Sequence, residues 1–389
     1  MKTAGKDRIS LRIALLGAAG FLVAINWQVV VPVLPVHLSR IGFSNPQIGL
    51  LVSLFSLAMG IGEFEFGRAA AIFGQRWTLL GGLILFAMTM VWLALARSAV
   101  AVAGGLLAVG AARATMWTPL HVSVAATASE ETRGRAFGVF WFLTSAAFLA
   151  GPAIGGWVAA KFGEHASFYL GSVIGLITIP LAVTITDPGR LMLRLTASGA
   201  VKVLLERVNF RIFLANHLHY AISAIWSTFL PLYAVAQGLS VLTIGEVFAV
   251  QGLAYALAQL PTGRLTDRLG AERLIIPSLI GRSAVSLLIP LVHTAGGLLT
   301  AGAIYGLAGG LVPVTFTTLV ARHNARDHYT TAMGVYNCSG DLGFFIGPVL
   351  GGAAALIGIT GPFLLCGPLG IALVLTGRSL KAAIAQAQD

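Results

Sequence analysis

The sequence predicts an all-α membrane protein of 12 transmembrane helices in two pseudo-symmetric six-helix bundles. Three observations carry that prediction: composition, the placement of basic residues and an internal repeat. Of 389 residues, 57% are hydrophobic and only 10% charged, whereas soluble domains carry about 25% charged residues. Mean hydropathy is +0.87. The net charge of +11 could suggest nucleic acid, but the basic residues are not grouped as a nucleic-acid face. With both termini in the cytoplasm, only Arg40, Arg97 and Lys161 lie outside and only Arg113 and Arg282 lie within spans. Such asymmetry is the positive-inside rule, and an even number of spans follows from it.

The repeat has a constant offset of 196 residues. It places Pro35 on Pro231, Ile48-Gly49 on Ile244-Gly245, Gly138-Val139 on Gly334-Val335 and "GPAIGG" (151–156) on "GPVLGG" (347–352). It also places "GRAAAIFGQR" (67–76) on "GRLTDRLGAE" (263–272), with Ala71 where the later copy has Asp267. The predicted domains are therefore 1–186, a cytoplasmic linker 187–209 and 210–389.

The apolar runs fall, in order, at 11–38, 46–69, 77–96, 99–127, 135–160 and 166–186, then 210–237, 243–263, 274–294, 296–321, 331–357 and 359–377. Each is long enough to carry a helix across a hydrocarbon core of roughly 30 Å. The first follows a basic start, as a signal peptide would, but its apolar part is too long and eleven more runs follow, so it is read as a retained helix. On the second, Ser53, Ser56, Gly60, Glu63 and Gly67 share a small-residue face. The fourth holds Arg113, Trp117 and His121 at steps of four. The fifth carries glycines at spacings of three and four, which let a neighbouring helix approach closely, and a proline that permits bending.

The linker is basic and contains the amphipathic "VKVLLERV". In the seventh run Asn216, His219, Ser223 and Trp226 form a polar stripe, and His217 and His219 point too far apart to share one metal. Gln251, Tyr255 and Gln259 make a second stripe on the eighth, read as interhelical packing, and Glu246 reads as interfacial. Arg282 on the ninth has no predictable partner. Asp341, on the eleventh, shares a face with Asn337. Cys338 and Cys366 both lie inside spans, so no disulfide framework is implied. No nucleotide-binding, metal-binding or nucleophile-base pattern appears, so neither an ATP-driven pump nor an enzyme is expected, and no cofactor.

"GRLTDRLGAER" resembles the loop signature of the major facilitator superfamily, found between its second and third helices and again between its eighth and ninth. Helix five resembles the superfamily's proton-driven antiporter signature, Gly-x8-Gly-x3-Gly-Pro-x2-Gly-Gly. In the first half, Gly138, Gly151, Pro152, Gly155 and Gly156 fit it, with Ala147 the departure. In the second half Gly334, Gly343, Gly347, Pro348, Gly351 and Gly352 fit throughout. "PVLP" (32–35) resembles the antiporters' first-helix motif, and Arg113 matches their fourth-helix arginine, although Met116-Trp117 stand where Gln-Gly is usual.

The resemblance implies a 12-helix, drug:proton antiporter-like transporter of the inner (cytoplasmic) membrane, acting on a small molecule, with both termini cytoplasmic, working as a monomer and binding no nucleic acid. It implies gate latches formed by Gly263, Arg264, Asp267, Arg268, Gly270 and Arg273, facing Arg133 and Arg135, and by Gly67, Arg68, Gly74 and Arg76. Ala71 leaves the second latch without its acid; Glu63 is expected to replace it in part, or else to snorkel to the interface. Proton coupling is assigned to Asp341, Arg113 and Glu63, because ionisable groups in the bilayer cost about 2.5–3.5 kcal/mol each. Helix one offers no acid to pair with Arg113, only Asn26 and Gln28; structural roles for Asp341 and Arg113 stay open. Substrate contacts are expected from Asn26, Trp27, Gln28, Trp117, His121, His219, Trp226, Tyr305 and Asn337. The alternative is proton symport for uptake of a sugar, organic acid or metallophore.

Overall fold

The computed structural model describes residues 2–127, 133–183, 197–324 and 326–388, and every regular element within them is helical. The first half supplies α1 (Lys2–Gln28), α2 (Leu34–Arg40), α3 (Asn45–Phe73), α4 (Gln75–Leu95), α5 (Ala99–Thr127), α6 (Arg133–Phe162) and α7 (Glu164–Val183). A short α8 (Ala197–Leu205) leads into α9 (Arg207–Ala236), α10 (Val241–Leu269), α11 (Ala271–Leu288) and α12 (Ala295–Gly310). The chain then forms α13 (Val312–His323), α14 (Arg326–Ala354) and α15 (Gly361–Gln388).

Among the described residues, 11 stretches are long and apolar enough to cross a membrane. The ninth of the 12 predicted runs contributes only the shorter apolar stretch Leu279–Leu291. At Pro290 the helix tightens into a single 3-10 turn.

Two runs predicted as single helices are broken. The first ends as α1 at Gln28 and resumes as α2 at Leu34, with Val30 N–H donating to the Trp27 carbonyl and Val33 N–H to the Val30 carbonyl across the break. Pro32 and Pro35 lie there, and proline both lacks an N–H and collides with the preceding turn. The tenth run divides into α12 and α13 beside Pro313, which sits in the first turn of α13, where a missing N–H costs nothing.

The helices pack as two units, one of Met1–His37 with Leu57–Leu193 and one of Leu38–Ser56 with Arg194–Asp389. In the first unit α1 packs on α6 and α7, and α4 on α5 and α7; in the second α9 packs on α14 and α15, and α11 on α12 and α15. These pairings correspond under the 196-residue shift, so the repeat read from sequence is a repeat of packing. The second unit also takes the start of α3, where Gly49 lies against the Pro348 carbonyl and Gly352 of α14. Of the predicted linker, α8 is helical as its amphipathic pattern expects, and an extended Glu206 separates it from α9.

Gly74 and Gly270 hold equivalent places, between α3 and α4 and between α10 and α11. Their backbones agree: φ 87°, ψ 152° at Gly74 and φ 85°, ψ 142° at Gly270. Each N–H closes the preceding helix, on the Ala70 and Thr266 carbonyls at 3.1 and 3.0 Å. This is a region that side chains with a Cβ essentially never occupy, at a cost of about 1–3 kcal/mol. Gly270→Ala is therefore expected to lower the thermal unfolding midpoint in detergent by several degrees, while Arg273→Ala, at an exposed position, leaves it unchanged. Equal midpoints for the two variants would show that the turn yields without strain.

Candidate functional site

Among the described residues, each unit buries one arginine among helices. In the first, α5 carries Arg113 inward, and its Nη1 donates to the Val23 carbonyl at 3.2 Å and to Asn26 Oδ1 at 3.3 Å, both on α1. The guanidinium carbon stands 5.9 Å from the ring centroids of both Trp27 and Trp117, within the range of cation–π attraction. Arg113 Nε and Asn26 Nδ2 are buried without a hydrogen-bond partner. Both of its acceptors among the described residues are neutral, a costly way to bury a charge and a useful one for attracting an anion or repelling a proton. Trp117 continues as a stack onto His121 (5.8 Å) and Trp141 (6.1 Å), so α5 and α6 share an aromatic wall.

In the second unit the arginine is Arg282 of α11. Its Nη1 donates to His219 Nε2 at 2.8 Å and to Ser223 Oγ at 2.7 Å, both on α9. Because Nε2 accepts, His219 carries its proton on Nδ1 in this arrangement. The Arg282 guanidinium lies 4.1 Å from the Tyr305 ring centroid. Tyr305 stacks on Trp226 at 3.9 Å with the planes 10° apart, and Trp226 Nε1 donates to Gln251 Oε1 at 2.8 Å. Thus Gln251 packs between helices as expected, while Trp226 and Tyr305 are fully buried in a stack.

The glycine motifs form the seams between the main helix pairs. On α6, Gly151 faces the Gln28 side chain at the end of α1 and Gly155 the Val29 carbonyl in the turn just beyond it. On α14, Gly343 faces the His217 carbonyl, Gly347 the Ala221 carbonyl and Gly351 the Phe229 ring of α9. Backbone meets backbone, as a small-residue face allows. Pro152 and Pro348 are accommodated inside their helices, Gly156 is buried, Gly334 is half-buried, and Gly138 has nothing near it.

Other predicted residues are dispersed. Asp341 is half-buried on α14 and Asn337 is exposed. Arg264, Arg268 and Arg273 are exposed; Arg76 is half-buried with its Nε unpartnered. The side chains of Glu63, Arg68, Arg133, Arg135 and Asp267, and the positions of Gly67 and Gly263 in the latches, lie outside what is described.

Sequence reasoning missed two clusters. Arg282 was left without a partner, although Gly309 at the repeat position of Arg113 is a signal that space had been left for a group from elsewhere. The other is His37, Glu164 and His165, whose ligand atoms lie within 4.8 Å of one another, a donor set that suits a divalent metal. The expectation of no metal had weighed only His217 and His219, which do diverge: His217 Nδ1 donates to the Ser339 carbonyl. Against a metal, the exposed Arg97 donates from Nη2 to His165 Nε2 at 3.0 Å and brings a positive charge to the cluster.

Two helical units of repeated packing, built from helices long and apolar enough to cross a membrane, are the architecture of a secondary membrane transporter. The family model of the Major Facilitator Superfamily matches residues 16–240 and 212–383, and the chain belongs to that family. It is 26% identical over 347 residues to an uncharacterized MFS-type transporter of Methanocaldococcus jannaschii, covering 85% of this chain and 88% of the relative. It is also 26% identical over 198 residues to the quinolone resistance protein NorA of Staphylococcus aureus, a match spanning 50% of each chain. Among solved structures, the fold is similar to the nucleoside transporter NupG, with TM-score 0.80 at 14% identity over 95% of this chain and 98% of that one. A POT family transporter is similar at TM-score 0.79 and 12% identity, over 97% of this chain and 96% of that one. The protein is thus a multi-pass membrane transporter for a small molecule.

Proposed function

We propose that this transporter exports small organic molecules in exchange for protons by alternating access. In this reading it sits in the inner membrane with both termini cytoplasmic, acts as a monomer and is divided functionally at the linker 187–209. The observation that carries it is the pair of glycine seams, α6 on α1 and α14 on α9. They place the antiporter-like signature at equivalent joints of both halves, where helices without side chains between them can shift against each other. The half-length similarity to NorA supports export. The proton is assigned to Asp341, modulated by Arg113 and Glu63, because α1 carries no acid beside Arg113. Asp267 with Arg133 and Arg135 latches the cytoplasmic gate, with Glu63 standing in for the acid that Ala71 lacks.

Everted vesicles holding an acid interior test this directly, with ethidium or a fluorescent quinolone added outside. The expected result is substrate-dependent loss of protons from the lumen, abolished by Asp341→Asn with substrate binding retained. An unchanged Asp341→Asn signal would move the proton site elsewhere. Protons and substrate moving in the same direction would establish symport instead.

A further inference from the structure

We infer that Arg282 is the second half's anion-recognition group, the counterpart of Arg113 in the repeat, and that the cargo bears an acidic group. The repeat position of Arg113 is Gly309, 196 residues later, which has no side chain. A Cβ built on Gly309 would lie 2.9 Å from both Cζ and Nε of Arg282 and 3.0 Å from its Nη2. The guanidinium of α11 thus lies against the bare backbone of α12 where the first half grows its own arginine. The bonding agrees. In each half Nη1 is the committed nitrogen, and one of its acceptors sits at the same repeat position, Val23 on α1 and His219 on α9.

The group is built as a receptor and not as a tie. Nη1 alone holds Arg282 to Ser223 and neutral His219, and Tyr305 supports the plane. Nε, although buried in a residue only 7% exposed, has no hydrogen-bond partner among the described residues. That nitrogen belongs to the edge with which a guanidinium binds a carboxylate, sulfonate or phosphate through two parallel bonds. The positive charge of the guanidinium disfavours a cationic cargo in the same measure.

This inference rests on the reading of the protein as an exporter of small organic molecules, but binding tests it apart from coupling. Fluorescence anisotropy with the purified full-length protein in detergent would compare fluorescein, a flat aromatic anion, with ethidium, a flat aromatic cation. Wild type is expected to bind fluorescein, and Arg282→Gln to weaken that binding by about tenfold or more through loss of the charge-assisted pair, with ethidium binding no weaker. Gly309→Ala keeps every charge and displaces the guanidinium; it is expected to weaken fluorescein several-fold, and it answers the question if Arg282→Gln does not fold. Wild-type affinity for fluorescein in folded variants overturns the inference, as does equal loss of both dyes or absence of fluorescein binding to wild type. Arg282-dependent fluorescein binding without proton movement in vesicles would sink the coupling assignment and leave this one standing.

Discussion

An Arg113→Met protein is expected to fold and insert at least as stably as wild type and to lose export by about tenfold to a hundredfold, the range of a roughly 1.5–3 kcal/mol hydrogen-bonded charge. Methionine matches the length of the arginine stem and removes a buried charge whose acceptors among the described residues are neutral. Replacing a buried ionic group with an apolar one of similar volume is often neutral or stabilising. What the variant forgoes is a fixed positive field at the α1–α5 contact. Arg113→Lys restores charge without the planar fork, so partial recovery is the expected outcome. The measurements are the thermal midpoint in detergent and export per folded molecule. A lowered midpoint with unimpaired export would assign Arg113 to the scaffold.

The second large effect is steric. Gly155→Val is expected to abolish accumulation of folded protein, because its Cβ falls upon the Val29 carbonyl in the turn that ends α1. A flexible side chain could move aside; backbone cannot without parting α1 from α6. Overpacking a core costs typically about 1–3 kcal/mol and more when backbone must shift. Gly347→Val, against the Ala221 carbonyl of α9, should fail in the same way, since the two seams are equivalent. Gly104→Val, on α5 with nothing within 4 Å, is the control and should accumulate normally. The three are compared by the monodisperse fraction in size-exclusion chromatography. Normal behaviour of both seam variants would show that the helices need not touch.

Much of the fold was legible because apolar run length and the 196-residue offset are properties of the chain itself. Helix breaks were less so. Pro32, Pro35 and Pro313 sit at interruptions, whereas Pro152 and Pro348 sit inside continuous helices; whether a proline ends a helix depends on what neighbours do for the freed carbonyl. For the site, periodicity placed Asn26 and Arg113 on their helices but not their mutual hydrogen bond. It ranked Trp226 and Tyr305 together without revealing that they stack. Arg282 could not be assigned from one helix, since its partners His219 and Ser223 lie about sixty residues earlier. The His37–Glu164–His165 cluster unites residues more than a hundred positions apart, and no spacing rule reaches that far.

Gly74 and Gly270 share one backbone shape, yet only the later loop has an acid three residues before its glycine, where the earlier has Ala71. Shape is therefore common to the two loops and charge is not. The shape is enforced by a steric rule that glycine alone satisfies without strain, so a substitution at either glycine has to be met by the backbone. Nothing steric demands the acid, and the two loops can differ in their electrostatics while keeping one fold.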